Sequence, residues 1–360
     1  MTTHLGLVLA TLLALAARPA LGATWQPSPT GASEVFVLAV DPGDPAHVWA
    51  GTDAGLLASL DGGASWQPSG KGLPPDLHCA PTSLAVDTRH PRTVWVGTGI
   101  RLDSAGGCGV FRSTNGGRRW RAAGLPTDAV GALAATPSPN GTVYAGTTGD
   151  GTEFAGNLLR HRRGRQWDTV FPGDDVDLDI AAIVVDPSTP STVYAATNHA
   201  GLVKSTDRGA HWTSINTDLP TVDGGLPGGH FVVTYALAID ATHPETLYTS
   251  TLGVGSCCID LIGGAANVFR SDDGGASWAP ATSGLENMNV LAVVVDPVRS
   301  GVVYAGGTAG VFASTDHGDT WSALGTGVEG KLVASLAIDP SGTTLHAGTL
   351  GDGAFRLALE

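Results

Sequence analysis

The sequence predicts an all-β protein: a single seven-bladed β-propeller of four-stranded antiparallel blades, closed by the N-terminal strand completing the last blade. Three observations predict it. A box reading Ser-x-Asp-x-Gly-x-x-Trp recurs at Ser59 to Trp66, Ser205 to Trp212, Ser271 to Trp278 and Ser314 to Trp321. Ser113 to Trp120 keeps the frame with Asn115 for the acid, and Arg160 to Trp167 keeps only the glycine and the indole. A short strand of the form Val-Trp/Tyr-Ala-Gly-Thr returns seven times, at Val48-Trp49, Val94-Trp95, Val143-Tyr144, Val193-Tyr194, Leu247-Tyr248, Val303-Tyr304 and Leu345-His346. The last unit stops at Ala354-Phe355-Arg356-Leu357 without a box, while Gly22 to Ser28 repeats Gly63 to Ser69 almost residue for residue. Four short strands at a period of about 45 to 50 residues make blades that bury their faces only against neighbouring blades. Completing the seventh blade with the N-terminus ties the ring shut and removes its open edges.

From the N-terminus, the apolar run Leu5 to Ala17, then Arg18-Pro19 and the small residues Ala20 and Gly22, predicts a signal peptide over residues 1–22. The run is short of the roughly 18 to 20 residues of a membrane-spanning helix. The n-region departs from the usual pattern in carrying no Lys or Arg. The propeller is then residues 23–360, and the expected location is secreted or periplasmic. No later segment is long and apolar enough to cross a bilayer as a helix, so no membrane insertion is expected.

The composition fits a turn-rich β protein, with 51 Gly, 22 Pro and only 14% charged residues. A formal net charge of −14 repels nucleic acid and anionic membrane surfaces, which argues against nucleic acid as a partner. Four cysteines in an exported chain allow three pairings. Cys79 and Cys108 fall in connections at the same end of one repeat and are expected to form a disulfide. Cys257 and Cys258 are adjacent, which leaves a vicinal disulfide, two thiols or soft-metal ligands open.

Within each unit, an apolar inner strand ends in an acid and a proline or polar turn, and the short second strand follows. In the box, the aspartate accepts backbone N–H groups of its own turn, the glycine two residues on supplies a positive φ, and the indole covers the hairpin and packs on the sheet. A turn built this way repeatedly is scaffold.

These boxes resemble the Asp-box, or BNR, repeats of sialidases, xyloglucan-degrading glycosidases, sortilin-type receptors and photosystem II assembly propellers. The resemblance covers residues 23–360 and implies a propeller. Those relatives hydrolyse glycans, bind peptides or assist assembly, so it leaves the activity open. The sialidases' Phe/Tyr-Arg-Ile-Pro motif and arginine triad are missing; the xyloglucan enzymes use two propellers where this sequence has one.

A site is expected where the repeat is broken, at the end opposite the boxes. Acids crowd those connections, and Asp103, Asp128, Asp150, Glu153, Asp177 and Asp260, with Arg101, are the candidate binding residues. Counting back along the inner strands puts Glu34 and Asp179 at the channel mouth in blades one and four. Paired carboxylates are what glycoside hydrolysis needs, one as acid and one as base or nucleophile. Tyr235, outside the second-strand position of the other tyrosines, is a third catalytic candidate, by resemblance to the sialidase nucleophile. The bland reading makes these solvated rim residues. The expectation is a monomeric ligand-binding module for a polysaccharide or extracellular protein, with no cofactor and no metal; the alternative is a glycoside hydrolase.

Overall fold

The computed structural model describes residues 23–75, 79–99, 107–137, 141–148, 156–162, 165–171, 179–198, 200–222, 230–231, 233–252, 267–286 and 288–359. Among them there is no α-helix. Seven four-stranded antiparallel sheets stand in a ring. Blade one is Val35–Asp41, Asp44–Thr52, Gly55–Ser59 and Gln67–Pro68, from the axis outward. The inner strands of the next five are Pro81–Val86, Ala129–Ala135, Ile180–Val185, Val233–Ile239 and Val290–Val295. Blade seven runs Val333–Ile338, Thr344–Thr349 and Ala354–Ala358, and its fourth strand is Gln26–Ser28, with Gln26 opposite Arg356 and Ser28 opposite Ala354. The N-terminal closure expected from the sequence is therefore present. Neighbouring inner strands touch in chain order, and the seventh returns to the first. A small extra hairpin, Thr221–Val222 with His230–Phe231, stands apart from the blades.

The core lies between blades rather than within one. Each cluster joins the face of one sheet to the next, as where Trp49 and Leu56 of blade one meet Val94, Val96 and Phe111 of blade two. This is the burial expected of a repeat that cannot cover its own faces.

The box is a joint between blades. Within its turn it behaves as the sequence predicts: Asp61 accepts the Ser65 N–H at 2.8 Å and the Ser65 hydroxyl at 2.6 Å, and Gly63 has φ 83°. The hydroxyl and N–H of Ser65 and the hydroxyl of Ser59 hold the Asp61 carboxyl at about 2. The tryptophan does more than cover the hairpin. The indole N–H of Trp120 donates to Ser69 O at 2.7 Å, that of Trp278 to Ile215 O at 2.7 Å and that of Trp321 to Ala281 O at 2.9 Å. In each case the acceptor belongs to the preceding blade, because the ring leans across the interface. The second-strand aromatic of the preceding blade packs on the box glycine from the other side. A side chain at Gly117 would lie 2.6 Å from the Trp49 Nε1, and one at Gly318 3.3 Å from the Tyr248 ring. Glycine is needed there twice, for its φ and for the missing Cβ.

The third strand adds a further tie. Lys204 donates to Gly274 O at 2.7 Å, Arg270 to His317 O at 2.9 Å and Arg356 to Gly62 O at 3.2 Å, each reaching the box turn of the next blade.

Candidate functional site

At the end opposite the boxes, two repeated features shape the surface. The first is a register shift near the start of every inner strand. One extra residue is inserted there in each blade: Phe36, Thr82, Gly131, Ala181, Tyr235, Leu291 and Ala334. A bulge re-aims its residue relative to the regular pleat. The seven therefore form one tier around the axis, apolar or small apart from the Thr82 and Tyr235 hydroxyls, with Phe36 and Tyr235 half-buried.

The second feature is the threonine closing the second strand. Its hydroxyl donates to the carbonyl at the head of the third strand: Thr52 to Gly55 at 2.7 Å, Thr98 to Gly109 at 2.9 Å, Thr197 to Gly201 at 2.9 Å and Thr349 to Gly353 at 2.7 Å. Thr147 reaches Asn157 O in the same way at 3.3 Å. Among these five blades the connection between the two strands varies from two residues in blade one to ten in blade two, yet its base is pinned alike. Insertions of any length can thus be carried on a rigid rim. In blade two the pin is doubled, because Cys79 and Cys108 are disulfide-bonded and the Cys108 N–H also donates to Thr98 Oγ1 at 3.1 Å.

The sequence candidates fall on this end in different ways. Glu34 bridges Leu350 of blade seven, and its N–H donates to Asp53 at 3.3 Å, while its own side chain is exposed. Asp53 in turn accepts the Ser33 hydroxyl at 2.6 Å. Asp179 is half-buried, receives the Asn198 side-chain amide at 3.3 Å and accepts the Asn198 N–H at 2.9 Å on its carbonyl. Asp128 is half-buried, and its carbonyl accepts the Gly109 N–H at 3.1 Å beside the disulfide. Tyr235 is the bulge residue of blade five. Arg101, Asp103, Asp150, Glu153, Asp177 and Asp260, with Cys257 and Cys258, lie outside the described residues. Phe36 went unnoticed in the sequence as a rim residue; its signal was its place two positions after Glu34, matching Tyr235 two positions after Val233. Among the described residues no group of three or more His, Cys, Asp or Glu is placed to hold a metal ion.

A polar cleft of ≈ 480 Å³ opens at the box end between blades five and six, lined by residues that include His243, Arg270, Asp272, His317 and Asp319. Its guanidinium is already spent, paired with Asp272 at 3.0 Å and Asp319 at 2.9 Å.

A ring of seven such blades settles the architecture. The chain is a seven-bladed β-propeller. No protein-family model matches it. The propeller is similar to the GH74 xyloglucanase of Xanthomonas campestris, with a TM-score of 0.68 and 21% identity over 93% of this chain and 53% of that one. It is similar to YCF48 of Cyanidioschyzon merolae, with a TM-score of 0.63 and 16% identity over 93% of this chain and 99% of that one. YCF48 has also been solved bound to D1 peptide. In sequence, 96 residues are 32% identical to a probable oligoxyloglucan-reducing end-specific xyloglucanase of Neosartorya fischeri, which is 27% of this chain and 10% of that protein. The propeller thus spans about half of the GH74 chain and a small part of the curated relative. At such identities the structural likeness is one of fold, which hosts both hydrolases and binding proteins.

Proposed function

We propose that this propeller is an exported ligand-binding module that holds a polysaccharide, or an extended segment of a protein partner, across the end opposite its boxes. The observation that carries the reading is the bulge tier at the channel mouth. Phe36 and Tyr235 are half-buried aromatic residues of the tier in blades one and five, on a rim whose connections are pinned at their bases by Thr52, Thr98, Thr197 and Thr349. Aromatic residues and acids on one rim suit a hydroxyl-rich or peptide ligand, and a pre-formed rim lowers the ordering cost of binding. A likeness over nearly its full length to YCF48, bound to a peptide in one structure, supports a binding role for a single propeller.

The second reading is a glycoside hydrolase using Glu34 and Asp179, and the stretch similar to a xyloglucanase favours it. Against it, the two acids stand three blades apart around the ring. Asp179 is tied to Asn198, whereas an acid and base pair must flank one glycosidic bond about 5 to 9.5 Å apart.

Incubating residues 23–360 with plant, bacterial and sialylated glycans, and following both retention and release of reducing ends, separates the readings. Retention without release is expected. Release abolished by Glu34→Gln or Asp179→Asn would establish the hydrolase instead.

A further inference from the structure

The positive charge of this acidic chain is concentrated in one sector. Eleven of its 19 Lys and Arg lie between Arg89 and Arg165. The two boxes in that sector are the ones that lost their acid, with Asn115 in blade two and Arg162 in blade three where Asp stands in the others. Arg89, Arg92, Arg118, Arg119, Arg121 and Arg165 are exposed, and none of them is in an ion pair among the described residues. Outside the sector Arg270 is paired with Asp319, Arg299 with Asp296 and Lys331 with Asp352; within it Arg160 is paired with Asp168 at 3.9 Å.

The patch is continuous. Arg92 O accepts the Gly116 N–H of the blade-two box at 2.9 Å, which brings the two turns of that blade together. Arg121 pairs in register with Arg112, whose guanidinium lies 5.2 Å over the Trp95 ring. The Trp95 ring packs against His161 of blade three at 5.2 Å, next to Arg162 and Arg165. Arg160 then donates to Arg208 O in the box of blade four. The exposed arginines of blades two and three thus form a belt along the box end, and buried Arg160, paired with Asp168, ties it to the box turn of blade four.

We propose that this belt binds a linear anionic polysaccharide, one bearing repeated carboxylates or sulfates. Like charges held this close repel, and a polyanion relieves the repulsion while releasing its own counterions. The belt is arginine rather than lysine, and a guanidinium fork matches a carboxylate or sulfate with two parallel hydrogen bonds. A lipid surface fits less well, because interfacial binding needs apolar anchors. The exposed large hydrophobic residues among those described, Leu60 and Val298, stand on blades one and six. This surface is separate from the channel mouth and does not depend on what binds there.

The test uses the chain from residue 23 with heparin and polygalacturonate as probes, in about 50 mM and about 300 mM salt, since such contacts weaken steeply with salt. Binding of at least one probe at low salt is expected. The triple variant Arg118→Gln, Arg119→Gln, Arg121→Gln should weaken it about tenfold or more and flatten its salt dependence. Lys331→Gln, one cation removed outside the belt, should leave it within about twofold. An unchanged melting temperature in the triple variant, whose side chains are exposed, shows that folding is intact. Three outcomes would overturn the proposal: neither probe binding at low salt, the triple variant binding as well as the parent, or phosphatidylglycerol vesicles binding as tightly as the polysaccharides.

Discussion

The indole N–H of Trp25 donates to the carbonyl of Leu324 at 2.8 Å, joining residues 299 positions apart. That bond makes, between blades seven and six, the link that Trp120, Trp278 and Trp321 make between other neighbouring blades. The joint between blades six and seven is thus of the same kind as those at Trp120, Trp278 and Trp321, but is supplied by a strand from the other end of the chain.

Trp278→Phe isolates that joint. The ring is buried, so phenylalanine keeps much of the packing but leaves the Ile215 carbonyl without its donor. A loss of about 1 to 3 kcal/mol is expected from an unsatisfied buried acceptor, read as a lower urea midpoint with an unchanged slope. No change in midpoint would mean that the bond is incidental to packing.

His346 makes the closing interface sensitive to acid. It occupies the place of the second-strand aromatic of blade seven, is 1% exposed, and has a buried Nε2 without a hydrogen-bond partner. Burial lowers its pKa to about 4; Asp339 opposes the shift and Arg356 adds to it. The folded state binds this proton less readily than the unfolded chain. The contribution is thus intact above about pH 6.5 and is lost as pH falls toward about 4, amounting to about 3 kcal/mol. His346→Tyr, the residue at this position in four other blades, should lose less stability between those pH values. Parallel curves for the two proteins would remove the assignment.

The Cys79–Cys108 bond spans 29 residues, enough for its removal to cost about 3 to 4 kcal/mol through the entropy of the unfolded chain. Denaturation of Cys79→Ser, Cys108→Ser against the oxidised parent measures this. Because Thr98 still pins the loop base, ligand retention should fall less than stability does.

At the channel mouth, Phe36→Ala and Tyr235→Ala should each weaken retention of the ligand found in the glycan panel by about tenfold, the scale of one lost aromatic contact. Glu34→Gln and Asp179→Asn should change it by less than about threefold. The reverse ranking would favour the carboxylates and the hydrolase.

The blades were legible in the sequence because their chemistry is local. A box turn needs Asp61, Gly63 and Ser65 within five positions, and the short second strand needs only its own continuous run of buried residues. Even the closure could be read, since Gly22 to Ser28 copies Gly63 to Ser69. The partner of each indole could not be read, because Ser69, Ile215 and Ala281 offer backbone carbonyls that any residue would provide. The bulge tier was hidden for a related reason: an extra residue in a strand shifts the pairing without leaving a motif, so Phe36 looked like an ordinary strand residue. The arginines of blades two and three were visible as a run, but only the packing of Trp95 on His161 and the reach of Arg160 to Arg208 O makes them one surface. The sequence by itself determined the turns, the strands and their number, which depend on neighbours along the chain. The tertiary structure decided which groups meet across blades and around the axis, because those contacts depend on the curvature of the closed ring.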